Sequence, residues 1–376
     1  MTIDELRQHF PHTRHGIYMN HAAVAPMSTP VVEALQAYIA ERHETHVENF
    51  FDMEPVIASA LDRAAAAIGT VADRVAFVPN TSYALNLLAQ GLDWQQGDRI
   101  AIPGCEFPAN VYPFVNLRDR GVEVDYIPDR DGVFTLEDVE AMLTKRTRLL
   151  TVSWVQFLSG FKADLRALGA LCRERGILFC VDAIQGLGAF GLDVASCGID
   201  FLACGGHKWL MASQGIGFLY VTEALQDRLK SMAGWLHGPI DWSRLTDYEL
   251  TFHPTARRYR LGTMNMMGVV SLNAALGLRE QCGVDWCAEQ VLDRAALLRD
   301  GFLDAGHALY GSSDPEAASG IVTLRHPDAG RLFHQLQDEG IQIALRNGLL
   351  RFAPTYYNTR EEALAVVDRL KTEVPA

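Results

Sequence analysis

Short apolar segments alternate with amphipathic stretches between residues 74 and 221. The apolar segments are rich in Val, Ile, Leu and Phe and show little alternation with polar residues, which is typical of strands buried on both faces of a sheet. They span residues 74–79, 99–103, 122–128, 148–153, 177–182, 200–204 and 217–221. Helical patterns lie between several of them, at residues 82–89, 108–120, 136–143 and 165–175. This alternation predicts an α/β fold with a mostly parallel central sheet flanked by helices.

The pattern changes towards the C-terminus. Residues 265–306 have the periodicity of long helices, and a strand, a helix, a strand and a helix are then predicted at residues 319–325, 332–339, 349–352 and 361–371. We therefore predict a large domain over residues 17–245 and a smaller α+β domain over residues 246–376, with residues 1–16 packed nearby. A further helix is predicted at residues 30–42. The strand at 217–221, beside Gly215 and Gly217, is expected to be an antiparallel member of the main sheet.

Composition narrows the classes of function. The chain has 376 residues and a net charge of −13. Nucleic acids and anionic membranes bind clustered Lys and Arg, so we expect neither as the main partner. No segment is apolar for long enough to span a bilayer, and the first residues lack the basic start and apolar run of a secretion signal. A cytoplasmic location is the resulting expectation.

The cysteines do not suggest a metal site. They form no CxxC pair and no Cys/His spacing typical of metal ligands, so we expect reduced thiols and no metal. The seven cysteines are Cys105, Cys172, Cys180, Cys197, Cys204, Cys282 and Cys287.

Asp182 ends one of the apolar segments. The carboxyl ends of strands are where ligands of open α/β sheets bind. A buried carboxylate is costly unless it is paired, and the protonated nitrogen of a pyridine ring would be a fitting partner. A cap for the following turn is an equally acceptable role for Asp182 taken alone.

Lys208 follows the next apolar segment, after Gly205, Gly206 and His207. A lysine at a strand end inside a pocket is desolvated, which lowers its pKa and makes the amine nucleophilic towards an aldehyde. The glycines allow the backbone to approach a bulky ligand closely. The alternative is a turn that carries a solvated lysine. If the two strands are neighbours, Asp182 and Lys208 face one ligand.

Thr81 and Ser82 follow the first strand and open a helix. Free backbone N–H groups and two hydroxyls at such a position form an anion site suited to a phosphate. These residues also suit a simple helix cap, and both roles can hold at once.

Together these elements resemble the class V aminotransferases, which are fold-type I enzymes that use pyridoxal 5'-phosphate (PLP). The family includes cysteine desulfurases, selenocysteine lyases, kynureninases and isopenicillin-N-epimerase-like proteins. The resemblance runs over nearly the whole chain, from Tyr18-Met-Asn-His-Ala-Ala23 to Arg351-Phe-Ala-Pro-Thr-Tyr-Tyr-Asn-Thr359. It implies a fold-type I architecture with a smaller α+β C-terminal domain.

The resemblance also implies roles for individual residues. Lys208 would hold PLP as a Schiff base, Asp182 would pair with the pyridine nitrogen and Gln185 would contact the phenolic oxygen. Arg351 would clamp the substrate carboxylate with its planar fork of donors, although a surface ion pair is its alternative role. The expected cofactor contacts are Thr81, Ser82, Phe107, Asp182, Gln185, His207, Lys208 and Thr263, and the expected substrate contacts are Arg351, Asn20 and His21.

The segment from Arg258 to Thr263 resembles a family loop whose threonine completes the phosphate site of the neighbouring subunit. A homodimer is therefore expected, with Gly262 and Thr263 reaching the partner's active site. The loop usually carries an acidic residue where this chain has Arg260, so the pairing of that residue is not carried over.

Other departures bear on the reaction. Several family members have a serine where Gly205 stands, so one phosphate hydroxyl is missing or is supplied elsewhere, for example by Thr263. Phe107 stands where cysteine desulfurases have a histidine, and phenylalanine stacks on a ring but cannot transfer protons. Residues 340–351 contain no cysteine to accept sulfur. We therefore expect that the protein is not a persulfide-forming cysteine desulfurase.

Several functions remain open. We expect transamination, or β-elimination of a sulfur or selenium group, on a small α-amino acid. An epimerase and a kynureninase-like hydrolase are alternatives, and a catalytically silent PLP-binding protein is an alternative of another class. Lys208, Asp182 and Arg351 are all present, which favours an enzyme. Other residues suggested as walls of the site, without assigned roles, are His21, Gln156, Ser159, Trp209 and Arg346.

Overall fold

The computed structural model describes residues 1–373, apart from the side chains of residues 50 and 51. The helices are α1 Ile3–Arg7, α2 Thr29–Glu44, α3 Glu54–Ala66, α4 Thr81–Gly91, α5 Tyr112–Val115, α6 Leu136–Met142, α7 Leu165–Arg175, α8 Glu223–Gln226, α9 Met266–Cys282, α10 Val284–Asp304, α11 Ala329–Asp338 and α12 Arg360–Leu370. The strands are β1 Ile17–Tyr18, β2 Val75–Val78, β3 Arg99–Pro103, β4 Glu123–Ile127, β5 Thr147–Ser153, β6 Leu178–Asp182, β7 Phe201–Gly205, β8 Gly217–Val221, β9 Ala308–Tyr310, β10 Val322–Arg325, β11 Ile341–Gln342, β12 Ala344–Arg346 and β13 Leu349–Phe352.

The central sheet contains the seven strands predicted from the apolar segments. Its order is β2-β8-β7-β6-β5-β3-β4, and β8 is antiparallel to both of its neighbours while the other pairs are parallel. The α/β fold class is confirmed, and so is the antiparallel direction of the strand at residues 217–221.

Alternate residues of the central strands of the sheet enter two different apolar clusters. In β6, Phe179 and Val181 pack in the cluster on one face of the sheet, which also holds residues of α3, α7 and α9. Leu178 and Cys180 pack in the cluster on the other face, which holds residues of α4. Because both faces are covered, residues 178–181 of this strand are all apolar, and this explains the unbroken apolar segments of the sequence.

The single helix predicted over residues 108–120 is wrong. The structure has a 3₁₀ turn at Pro108–Asn110, the one-turn helix α5 and another 3₁₀ turn at Arg118–Arg120. Proline has no N–H to donate to an earlier turn, so Pro113 lies in the first turn of α5 and prevents a continuous helix.

A second, antiparallel sheet follows in the C-terminal third. Its order is β12-β13-β10-β9, and Phe302, Leu324, Leu350 and Val366 belong to its apolar cluster with α10, α11 and α12. The predicted domain boundary near residue 245 falls between α8 and α9, where residues 231–255 contain no helix or strand. That boundary stays a prediction.

The N-terminal segment contacts the end of the chain. The Arg7 guanidinium donates to the Tyr357 carbonyl (2.9 Å) and forms an ion pair with Glu362 (2.7 Å). The short strand β1 then pairs in parallel with β11. Within residues 1–373, none of the helices has the length and apolar character needed to cross a bilayer.

Candidate active site

Asp182 and Lys208 come from neighbouring parallel strands. Asp182 is the last residue of β6 and lies opposite Ala203 of β7. Lys208 follows β7 by three residues, after the glycine pair Gly205 and Gly206. Because both strands end at the same edge of the sheet, the two side chains face one cavity, as the sequence predicted.

The Asp182 carboxylate is buried with little compensation. It is 2% exposed, and its Oδ1 accepts a hydrogen bond from the Ile184 N–H at 3.0 Å. Burial raises its pKa, because the charged form is poorly solvated, and the Ile184 N–H only partly opposes this effect. The site therefore favours a cationic ligand beside Asp182.

Lys208 is also desolvated. Burial lowers the pKa of its ammonium, and the neighbouring Asp182 carboxylate only partly restores it. Its Nζ lies 5.6 Å from the ring centroid of Phe107. More of the amine is therefore neutral near pH 7 than in a solvated lysine, and a neutral amine serves as a nucleophile or a base.

Hydrogen bonds and close packing hold the turn after Lys208 in place. The Met211 N–H donates to the Lys208 carbonyl (2.9 Å), and Met211 adopts a φ of 58°, which is uncommon for a residue with a side chain. The buried Tyr356 hydroxyl donates to Met211 Sδ at 3.1 Å. Gly188, with a φ of 109°, allows close packing here, since a Cβ would lie 2.3 Å from the Trp209 carbonyl oxygen. These contacts fix the backbone that carries Lys208.

The cavity has a volume of about 310 Å³ and is lined by most of the predicted site residues. The predicted residues that line it are Thr81, Ser82, Phe107, Asp182, Gln185, His207, Lys208 and Arg351. The other lining residues are Ala22, Ala23, Asn80, Ala109, Phe157, Ile184 and Arg346.

One end of the cavity fits an anion. Helix α4 begins at Thr81, and Asn80 caps it by accepting from the Tyr83 N–H at 2.9 Å. The Thr81 Oγ1 is buried without a partner among the described residues. A Cβ added at Gly205 would lie 3.3 Å from that oxygen, so the missing serine of the family pattern would have crowded the same point. A free hydroxyl and a helix N-terminus here suit a phosphate.

Arg351 lies at the other end. It is 2% exposed, its Nη1 donates to the Phe157 carbonyl (2.6 Å), and its Nε is buried without a partner among the described residues. Burial and the nearby Arg346 lower its pKa to about 10. No carboxylate of residues 1–373 forms an ion pair with it, so the guanidinium can receive a carboxylate from a ligand.

Three predicted residues lie outside the cavity. His21 is fully buried: its Nδ1–H donates to the Ala353 carbonyl (2.7 Å), and its Nε2 accepts from the Tyr357 hydroxyl (2.5 Å). Burial lowers its pKa to about 3, so the ring is neutral and both nitrogens are used. Asn20 forms a bridge with Ala353 but does not line the cavity. Thr263 lines a separate surface cavity. The roles assigned to these three stay predictions.

Sequence reasoning missed two contributors. Phe157 offers its carbonyl to Arg351 and its ring to Phe107, at 5.2 Å between centroids. Glu106 is buried and accepts from the Ser153 N–H (2.6 Å) and the Gln156 amide (2.8 Å), which fixes the loop that carries Phe107. A carbonyl leaves no signal in the sequence, but a glutamate within an apolar context could have suggested a buried group.

A larger groove of about 720 Å³ lies beside α7. Among the described residues that line it, none is a predicted cofactor or substrate contact. Size alone therefore does not identify the site, whereas the desolvated Lys208 and Asp182 do.

The model of the family described as aminotransferase class-V matches residues 17–361. The chain belongs to the class V aminotransferase family. Its cofactor is PLP, and its fold is that of the fold-type I PLP enzymes.

Individual relatives differ in their described activity. A probable cysteine desulfurase of Methanothermobacter thermautotrophicus is 29% identical over 289 residues, covering 76% of this chain and 72% of the relative. An uncharacterized aminotransferase, YcbU, of Bacillus subtilis is 29% identical over 373 residues, covering 98% and 97%. The apo structure of a cysteine desulfurase from Thermococcus onnurineus NA1 has a TM-score of 0.90 at 25% identity and covers 100% of this chain and 98% of that chain.

The exclusion of a persulfide-forming cysteine desulfurase is contradicted by these relatives. The exclusion rested on Phe107 and on one loop without cysteine. Neither feature changes the arrangement of Lys208, Asp182 and Arg351. Two positions are too few to separate activities that share this arrangement.

The residues present fit PLP. Asp182 provides a buried carboxylate for the pyridine nitrogen, and Lys208 provides an amine for the aldehyde. The unpartnered Thr81 hydroxyl, with the start of α4, provides a place for the phosphate. The amide of Gln185 is fixed by Trp209 Nε1–H (2.9 Å) and by the Ala22 carbonyl (3.0 Å), so its position in the cavity is defined.

We predict that Asp182→Asn stabilises the apoprotein, because it removes a buried charge. The gain in the free energy of unfolding should be roughly 1–3 kcal/mol near neutral pH. The pKa of Asp182 is higher in the folded state than in the unfolded state. The wild type therefore becomes less stable to unfolding as the pH rises through the folded-state pKa, whereas the variant has no carboxyl group at this position to titrate. The difference should grow from about pH 4 to about pH 8, as measured by denaturant unfolding of both proteins.

Asp62→Asn is the matched control, since Asp62 is exposed on α3. It should leave the pH dependence of unfolding as in the wild type. A stability difference for Asp182→Asn that stays flat with pH, or that has the opposite sign, would contradict the proposed cost of burying this carboxylate.

We predict that Lys208→Ala abolishes the covalent attachment of PLP and all turnover. Borohydride treatment of wild-type holoenzyme should make the attachment permanent and add the cofactor to the mass of the chain. Lys208→Ala should gain no mass, because its amine is absent. Lys162→Ala is the control, since that ammonium lies over the Phe190 ring outside the site. A mass gain in Lys208→Ala would place the attachment at one of the other four lysines of the chain.

Proposed function

We propose that the protein is a PLP-dependent lyase that cleaves the Cβ–S bond of a small α-amino acid by β-elimination. The observation that carries this proposal is the desolvated Lys208 amine in a cavity that also holds Asp182 and Arg351, which forms no ion pair with a carboxylate of residues 1–373. The names of the relatives support a sulfur substrate, since cysteine desulfurases act on a C–S bond.

Arg351, Lys208 and Asp182 each have a separate role in the proposed reaction. Arg351 binds the α-carboxylate through two parallel N–H donors, which orients the amino acid in the cavity. Lys208, once free as an amine, accepts the Cα proton at its Nζ. Asp182, as a carboxylate, keeps the pyridine nitrogen protonated. When bound, PLP supplies an electron sink for the bond broken at Cα.

The apolar wall at Phe107 favours a leaving group that needs no proton donor. Phenylalanine has no proton to give, so this side of the cavity offers stacking alone. A thiol has a pKa of about 8.5 and leaves as a thiolate without prior protonation. Sulfur at Cβ therefore suits this site better than a hydroxyl, whose oxygen must be protonated as it leaves.

Transamination is the second candidate, since a relative that covers nearly the whole chain is named an aminotransferase. In that case Lys208 would accept the Cα proton at its Nζ in the same way, and PLP, when bound, would supply the acceptor for the amino group. The residues that bind and orient the amino acid would be unchanged.

The products distinguish these reactions. We expect holoenzyme to release pyruvate and ammonia in equal amounts, together with sulfide from L-cysteine, cysteine persulfide from L-cystine and a thiol from S-alkyl cysteines. Transamination would give a keto acid without ammonia, and desulfuration would give alanine with sulfur on an acceptor. Absence of ammonia from every sulfur amino acid in the series would overturn the lyase proposal.

A homodimer with shared active sites is also proposed. Thr263 lines a cavity of about 590 Å³ with Arg42 and His43, away from the Lys208 of its own chain. Ile39 and Met267, which belong to the same cavity, are about half exposed, which suits burial against a second copy. We propose that Thr263 reaches the phosphate of the partner's cofactor.

Mixed dimers test this arrangement. Lys208→Ala and Thr263→Asp should each be nearly inactive alone, the second because a carboxylate repels the phosphate. After dissociation and random reassociation, about half of the dimers are mixed and each has one intact site, so roughly a quarter of wild-type activity should return. No recovery from dimers verified as mixed would place Thr263 in the site of its own chain or outside any site.

A further inference from the structure

The Lys208 cavity is strongly cationic within an acidic protein. The chain has a net charge of −13, yet Lys208, Arg346 and Arg351 line this cavity against the single lining carboxylate of Asp182. A cluster of cations in a cleft raises the local concentration of anions, whatever the total charge. The number of anionic groups that this cavity is built to receive therefore indicates the substrate.

The hairpin β12–β13 places two guanidiniums on one face. Ala344 lies opposite Arg351 and Arg346 lies opposite Leu349, so these four side chains point to the same side, and Leu345 and Leu350 point to the other. Leu350 and Leu345 contribute to the apolar cluster of the second sheet. The opposite face, with Arg346 and Arg351, therefore faces the cavity.

The turn of this hairpin is tight. Asn347 and Gly348, the two residues between the strands, have φ values of 50° and 75°. Positive φ at both positions is the mark of a two-residue type I′ turn, for which Asn-Gly is favoured. Such a turn fixes the register, so the position of Arg346 relative to Arg351 is set by the backbone and not by a flexible loop.

Arg346 has no anionic partner among the described residues. Its Nη1 donates to the Leu345 carbonyl at 2.8 Å, and no carboxylate of residues 1–373 lies within ion-pair distance of it. It is close enough to Arg351 and Lys208 to lower the pKa of both. Two like charges fixed on one rigid hairpin repel each other, and bound anions would relieve that repulsion.

The anions of the proposed reaction leave Arg346 unused. The cofactor phosphate fits the end of the cavity at Thr81 and Ser82, and the substrate α-carboxylate fits the buried Arg351. Arg346 is exposed at the mouth, where the far end of a substrate side chain would lie.

We propose that Arg346 binds a second acidic group at the end of the substrate side chain, so that the substrate is a sulfur amino acid with a distal carboxylate or a similar anion. This inference rests on the proposed lyase function and specifies its substrate class. Arg346 is thus a specificity-determining residue, whereas Arg351 serves every α-amino acid.

Two substrate analogues that differ only in charge test the proposal. S-carboxymethyl-L-cysteine ends in a carboxylate, and S-carbamoylmethyl-L-cysteine has a neutral amide of the same size. In the wild-type holoenzyme, we expect kcat/KM for release of the thiol to be roughly 10- to 100-fold higher for the acid, as one charge-assisted hydrogen bond allows. In Arg346→Gln, the ratio of the two kcat/KM values should fall to about one.

Two variants serve as comparisons. Arg331→Gln removes an exposed arginine of α11 that pairs with Glu373, and it should keep the wild-type ratio. Arg351→Gln should weaken both analogues by a similar factor and so preserve the preference for the acid. Retention of the covalent cofactor absorbance shows that each variant is folded around its site.

Binding is measured in parallel by calorimetry with the same holoenzymes. Equal values of kcat/KM for the two analogues in the wild type, or an unchanged ratio in Arg346→Gln, would overturn the role of Arg346 and leave the lyase proposal intact. If neither analogue releases a thiol and none of the other sulfur amino acids releases ammonia, the lyase proposal fails. The ratio of the two dissociation constants, and its loss in Arg346→Gln, then supports or overturns the acidic subsite independently.

Discussion

The arrangement of the site depends on a carboxylate that the fold holds away from water. Asp182 ends a strand whose neighbours on both sides are paired, so its backbone cannot move outward to solvate the charge. A buried carboxylate is stable only beside a cation. The nearby Lys208 and a protonated pyridine ring can each provide this positive charge. The lysine lies near Asp182 because it follows the next strand of the same sheet. The edge of the sheet therefore determines where the cofactor lies.

The cavity closes only because a second sheet supplies its far wall. Arg351 belongs to β13, and residues 19–25 connect this strand to the Lys208 loop. The Ala353 N–H donates to the Met19 carbonyl (2.7 Å), and the Ala25 N–H donates to the His207 carbonyl (2.9 Å). Between these points, His21 accepts and donates within the protein, which explains why a histidine beside the site is neutral and fully buried. Its evident contribution is to hold the two walls together.

Much of this was accessible from the sequence, for identifiable reasons. Strands buried on both faces leave continuous apolar segments, and Asp182 and Lys208 follow two such segments directly. The helix expected at residues 108–120 failed because Pro113 interrupts it. The carbonyl of Phe157 had no signal, since any residue supplies that group. The sequence did not indicate that His21 lies outside the cavity, because a polar side chain near a motif does not reveal which way it points.

The sequence also could not separate reactions that use the same arrangement of Lys208, Asp182 and Arg351. In the proposed site, Lys208, Asp182 and Arg351 would hold the amino acid and the cofactor in the same relation whatever bond is broken, so features of single wall residues were given too much weight against a desulfurase. What distinguishes one substrate from another must lie farther from Cα, where side chains differ. In this chain that region is the rigid Asn347-Gly348 hairpin with Arg346 before its turn. The arrangement of Lys208, Asp182 and Arg351 is shared with the family, and we propose that the charge at the mouth of the cavity determines the choice of substrate.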